Sequence, residues 1–150
     1  MMRMLREHLE NVFGQVPQVD EQVSLQLACT VLMFEVVRAD YEKHPAELAV
    51  IRQHLIKAFD LDEVQAEQLM QAAIEHAENA ISLHEFIRAI NDAYSVQDKS
   101  HLLKVLWDVA HADGYLDKHE EYAIRKLADL LYVPHRVFIR SKHQSAGIDH

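Results

Sequence analysis

The sequence predicts an all-α fold of seven to eight helices, arranged as two helical-hairpin halves related by an approximate twofold. Three observations carry this. Apolar residues recur at three- and four-residue steps almost throughout, and no segment alternates apolar with polar as a half-buried strand does. Only three Gly and three Pro interrupt 150 residues, too few for a protein of hairpins and tight β-turns. Two stretches also repeat each other at an offset of 73 residues: six of the twenty-one pairs from Leu32/Val105 to Arg52/Arg125 are identical. Among the identical pairs are Asp40/Asp113 and Glu47/Glu120.

The elements are justified in chain order. Met4 to Phe13 reads as a short amphipathic opener closed by Gly14 and Pro17. Leu25, Ala28, Cys29, Leu32, Met33 and Val36 make one face of a helix from about Ser24 to Ala39. Pro45 suits the first turn of the next helix, striped by Leu48, Ile51, Leu55 and Phe59. Asp60 or Asp62 caps a third, carrying Val64, Leu69, Ala73 and Ala77. Ser82-Leu-His-Glu85 has the form of a capping box opening a fourth, with Phe86, Ile90 and Tyr94 on its face. The second copy starts near Gln97 with Leu102, Val105, Leu106, Val109 and Ala112, and ends at Asp113-Gly114. Asp117 caps a helix through Tyr132 that carries Ile124, Leu127, Leu130 and Leu131, and Pro134 opens a last one with Val137, Phe138 and Ile139. The chain is thus read as one domain over 1–150, with repeat halves at about 24–60 and 97–134 and a flexible polar tail, 141–150.

Composition narrows the function. A 49% hydrophobic, 26% charged chain of this length folds around a core instead of staying disordered. The formal charge of −9 argues against nucleic acid as a partner, because neutralising phosphates needs a basic face. The one basic cluster, Arg136, Arg140, Lys142 and His143, leaves room for peripheral contact with a membrane or a protein. No apolar run approaches the ~20 residues of a transmembrane helix, no secretory leader is visible, and the lone Cys29 fits a reducing compartment, so a cytoplasmic protein is expected. Cys29 lies among Ala28 and Leu32 and reads as core packing. No nucleophile elbow, phosphate-binding glycine loop or helical zinc motif is present, so no catalytic residue is expected.

The duplicated acids admit two readings. Asp40 and Asp113 fall at helix C-termini, where the carbonyl ends carry partial negative charge, and Glu47 and Glu120 lie in the first turn of the next helix. Two such corners around a pseudo-twofold could gather four carboxylates, with Asp117 and Glu121 as outer ligands. All-oxygen donors suit calcium or magnesium before zinc. Alternatively the acids only cap: Asp117 at an N-cap, Glu47 and Glu120 near N3. Arg52 and Arg125 are placed to balance the acids by ion pairing.

The segment Ala112-Asp113-Gly114-Tyr-Leu-Asp117-Lys-His-Glu120-Glu121, followed by Tyr122-Ala-Ile124-Arg125, resembles the signature of the tellurite-resistance TerB-like family. Arg38-Ala39-Asp40-Tyr41-Glu42 with Pro45-Ala46-Glu47 resembles a second, weaker copy, with Tyr41 where the family has Gly. The resemblance covers about residues 24 to 134. It implies an all-helical fold with an acidic, cation-binding surface, a stress or tellurite-resistance association and no enzymatic reaction. The chain is also similar to the helical domain that precedes the J-domain in some co-chaperones, which implies the alternative of a pure protein-binding domain whose acids only cap helices. The protein partners stay open.

Overall fold

Between Ala28 and Val37 the chain offers no polar face: only Thr30 and Glu35 interrupt ten residues of otherwise apolar side chains. A helix apolar all round must be enclosed by others. In the computed structural model, which describes residues 19–39, 45–77, 80–112, 114 and 116–146, this segment is α1 (Val19–Arg38). It packs against α2 (Pro45–Phe59), α3 (Glu63–Ala77), α4 (Ala80–Ala93), α5 (Val96–Ala110) and α6 (Lys118–Leu130). A seventh helix, α7 (His135–Ala146), packs on α5. No strand occurs among the described residues, and no described helix is long and apolar enough to cross a membrane. The expected opener at Met4–Phe13 lies outside the described residues.

The single apolar face expected for α1 proves too narrow. Val31, Phe34 and Val37, on its other sides, are buried as completely as Leu32 and Val36. Thr30 tolerates full burial because its hydroxyl donates to the Gln26 carbonyl one turn back, at 2.7 Å. Cys29 is buried too, with its sulfur 3.4 Å from the Tyr94 hydroxyl.

Local chemistry sets the helix ends. Asp62 and Gln65 cap α3 reciprocally, Asp62 Oδ1 accepting from Gln65 N at 2.7 Å and Gln65 Oε1 from Asp62 N at 3.0 Å. Ser95 and Asp98 form a capping box on α5, a signal in Ser-Val-Gln-Asp that places the helix start at Val96. Asp117 caps α6 as expected, accepting from His119 N at 2.9 Å and Glu120 N at 3.3 Å. Ser82 does not open α4: the helix already begins at Ala80, so the Ser82-to-Glu85 pattern falls inside it. The tail expected from Ser141 is also corrected. α7 continues to Ala146, and Ser141 is fully buried, donating to the Phe138 carbonyl at 2.8 Å.

Two apolar residues are misplaced by the sequence reading. Val64 and Leu130 are exposed, because α3 buries the register Ala66, Met70, Ala73, Ala77 and α6 buries Ile124, Leu127 and Ala128. The α6 carboxyl end is held instead by polar groups. Asn91 of α4 donates to the Leu130 carbonyl at 3.1 Å, and the buried Lys99 of α5 donates to the Leu131 carbonyl at 2.9 Å.

The packing pairs are those that a twofold exchanging α1 with α5 and α2 with α6 demands. α1 packs on α2 and α6, α5 packs on α6 and α2, and α1 meets α5 between them. The 73-residue offset carries Pro45, which starts α2, onto Lys118, which starts α6. It carries Glu63, which starts α3, onto Arg136, the second residue of α7. The duplicated unit is therefore a helix triplet, one helix longer than the expected hairpin, with α3 on α1 matched by α7 on α5. Burial follows the same register: Met33/Leu106, Phe34/Trp107, Val36/Val109, Ile51/Ile124 and Leu55/Ala128 are buried at both copies. The same offset carries α4 back onto residues 7–20, which lie almost wholly outside the described residues.

Because the stretch of α1 from Ala28 to Phe34 is enclosed on every side, truncating it leaves a cavity that cannot collapse. Leu32→Ala is expected to lower the unfolding free energy by about 3 kcal/mol in urea titrations. Val64→Ala, on the exposed start of α3, should change it by less than about 0.5 kcal/mol.

Candidate functional site

The repeated glutamates occupy the first buried position of their helix stripes. Glu47, Ile51 and Leu55 descend α2 at four-residue steps, and Glu120 and Ile124 descend α6 in the same way. The side chains of Glu47 and Glu120 are 0% and 1% exposed. Holding a carboxylate out of water costs several kcal/mol before any compensation, and the fold does so at both equivalent positions. Their burial separates these two in degree of exposure from the first-turn acids Glu63, which is exposed, and Glu121, which is half-buried, whatever groups they bond. The signal was present in the sequence: each Glu continues an apolar stripe by one turn toward the helix start.

The remaining acids divide. Asp40 and Asp113 lie outside the described residues. Between Asp113 and Asp117, Gly114 adopts φ +84°, the left-handed turn conformation expected of Asp-Gly, and its N–H donates to the His111 carbonyl at 2.9 Å. Asp117 is engaged as the N-cap of α6. Glu121 pairs with Lys142 of α7 at 2.9 Å, and Lys142 also stands over the Trp107 ring, 5.4 Å from its centre. Among the described residues no group of three or more His, Cys, Asp or Glu side chains is poised around a common point. Of the two arginines expected near the acids, Arg52 reaches Glu67 of α3 at 2.8 Å and Arg125 lies over the Phe138 ring at 5.2 Å. Of the basic C-terminal cluster, Arg136, Arg140 and His143 are exposed.

A second polar centre was not visible in the sequence, because it joins residues 54, 104, 108 and 145 across three helices. Asp108 of α5 accepts from His54 Nε2 of α2 at 3.0 Å, from Lys104 Nζ at 3.3 Å and from Ser145 Oγ of α7. Partial burial raises the Asp108 pKa, but the bonds from His54 and Ser145 and the Lys104 ammonium outweigh it, leaving the carboxyl below its ordinary 3.8. Both the serine and the histidine donate to the carboxylate, so this is a clamp between helices and not a nucleophile–base relay.

Two surface grooves obey the internal symmetry. One, of about 290 Å³, lies between the end of α1 and the face of α6; the other, of about 440 Å³, lies between the end of α5 and the face of α2. Shifted by 73 residues, Glu35 and Arg38 of the first become Asp108 and His111 of the second. Ala49, Val50, Gln53 and His54 of the second become Tyr122, Ala123, Lys126 and Leu127 of the first. The grooves have diverged. Around Asp108 the walls are tied by His54 and Ser145, whereas among the described residues Glu35 is bonded to its own-helix neighbour Arg38 alone, at 3.1 Å.

A family model described as tellurite resistance protein TerB matches residues 26–143. The chain belongs to the TerB family. Membership makes this a tellurite-resistance-associated domain, and the TerB match spans both helix triplets with their shared register of buried residues. No curated protein and no solved structure matches the chain significantly.

Two measurements check the electrostatics of this TerB domain. The buried Cys29 thiol is pushed up to about 11 by desolvation, against a smaller opposing effect of the Tyr94 bond. Iodoacetamide at pH 8 should therefore leave Cys29 unmodified in the folded protein and alkylate it only after denaturation. For Asp108 the folded pKa is the lower one, so its contribution to stability is present above the ordinary 3.8 and is lost as pH falls through the folded value. Asp108→Asn should lower Tm at pH 7, and the gap to the native protein should narrow below pH ~4.

Proposed function

We propose that this TerB domain is a non-enzymatic, cytoplasmic module that binds a divalent cation and a protein partner in a tellurite or stress-resistance system. The observation that carries the cation half is the burial of Glu47 and Glu120 at equivalent helix starts, each seven residues beyond a repeated aspartate. The proposed ligands are Asp40, Glu47, Asp113 and Glu120. Asp117 and Glu121 are the outer candidates, and their present engagements, an N-cap and a Lys142 pair, assign them to shaping the corner first. Carboxylate oxygens taken from water favour a hard cation, calcium or magnesium ahead of zinc. In sequence Asp40 and Asp113 follow the last residues of α1 and α5 by two and three positions, and a cation would offset acids so close to helix carboxyl ends. The alternative, a pure protein-binding domain, draws on the Asp117 cap, which shows that part of the motif does ordinary helix-starting work.

Calorimetry with calcium, magnesium and zinc separates the two. Binding heat that disappears in Asp113→Ala/Glu120→Ala is the expected result. A native protein giving no heat with any of the three, or a double variant giving unchanged heat, rejects the cation reading. Melting curves add a second check: a bound cation should raise the Tm of the native chain and leave that of the double variant where it was.

A further inference from the structure

The open groove beside Glu35 continues past its own end. Leu83 and Leu130 line both it and a neighbouring depression of about 380 Å³ between α4 and α6, so the two form one trough. Its rim carries large apolar groups in solvent: Tyr122 is 66% exposed, Leu130 41% and Tyr132 78%. Its charge is opposite to that of the chain. Among the described residues, Arg38, Arg88 and Lys126 line it against one carboxylate, that of Glu35, which Arg38 already holds, in a protein of net charge −9. Arg88 and Lys126 form no ion pair with any described residue.

Tyr132 adds an independent sign. It sits at φ +58°, closing α6 with its N–H bonded to the Asp129 carbonyl and the Val133 N–H to that of Ala128. This left-handed cap is a position where Gly is favoured and a bulky aromatic is strained. The ring gains nothing from the core in return, being almost fully in water. A strained backbone that holds an exposed aromatic beside an apolar trough is the kind of feature that persists for binding. The symmetry-related groove makes the contrast: there the same wall is closed by the His54–Asp108–Ser145 clamp and carries no exposed aromatic.

We infer that the α1/α4/α6 trough docks an acidic amphipathic helix of a partner protein, its leucine or aromatic residues seated between Tyr122, Leu130 and Tyr132 and its carboxylates on Arg88 and Lys126. Helix-in-groove recognition combines an apolar floor with charges at the rim, and the charges set which helices are accepted. This deepens the interaction half of the proposed function and does not depend on the cation half.

The test is amide chemical-shift mapping on the full ¹⁵N-labelled chain. The probes are a pool of 15-residue helical peptides with Leu or Phe at four- and seven-residue steps and Glu between them. Each has a twin carrying Lys in place of Glu. The expected result is shifts centred on Leu83, Arg88, Tyr122, Lys126 and Tyr132 with the acidic peptides only, weakening as salt is raised. Arg88→Glu/Lys126→Glu should lower affinity by roughly tenfold or more while the calorimetric response to divalent cations stays that of the native chain. Tyr132→Gly should weaken binding yet leave Tm unchanged or higher, because it relieves the left-handed cap. Shifts that map to another face overturn the trough but leave an interaction module in place. Equal binding of the Lys twins, or no shifts at millimolar acidic peptide, overturns the inference as a whole.

Discussion

A helix without a polar side has to be surrounded, and most of this architecture follows from enclosing α1. Five helices meet it, and its buried residues face them from every direction. A bundle of this size cannot be closed by one hairpin, and the duplicated helix triplet supplies the layers. The second copy contributes α5 as the counterpart of α1, while α6 and α2 each cross to the other copy's central helix. The exchange of partners locks the halves together, so that neither triplet has a complete core of its own.

Duplication also shows which features have been kept and which have been let go. The glutamate at the start of the second helix is buried in both triplets, although the two residues that follow it have changed from Leu48-Ala49 to Glu121-Tyr122. The grooves at the ends of α1 and α5 have gone separate ways. One became a hydrogen-bonded tie between α2, α5 and α7, and the other kept an apolar floor and gained cations. Preserved acids with diverging walls are what two different demands on one repeated framework would leave behind.

Much of this was legible in the residues. Helix content, the Pro45 and Asp117 starts and the register of the repeat all follow from periodicity and capping chemistry. The burial of Glu47 and Glu120 was equally readable, as a step of each apolar stripe, but a charged residue at a helix start invites the capping explanation first. Val64 and Leu130 were misjudged because an apolar residue near a helix end can fall on either side of the stripe, and only the neighbouring helices decide. The Asp108 clamp could not be found in advance: its partners are 54, 37 and 4 residues away, on three helices, and no local pattern links them. Ser82 misled because its Ser-x-x-Glu spacing repeats what a true start looks like, while α4 had already begun at Ala80.

The position of α4 between the two triplets has a topological consequence. It is the one segment joining the two triplets, and it packs on α1 and α3 of the first while Asn91 reaches the carboxyl end of α6 in the second. Each triplet is completed by the other, yet nothing but this connector requires that both come from the same molecule. Straightening α4 into α5 would let the later triplet leave its own partner and complete a neighbour's, an exchange that re-forms the contacts between triplets away from the hinge and yields an intertwined dimer. The break at Tyr94-Ser95, with its Ser95–Asp98 cap, is the local chemistry that holds the bend between α4 and α5.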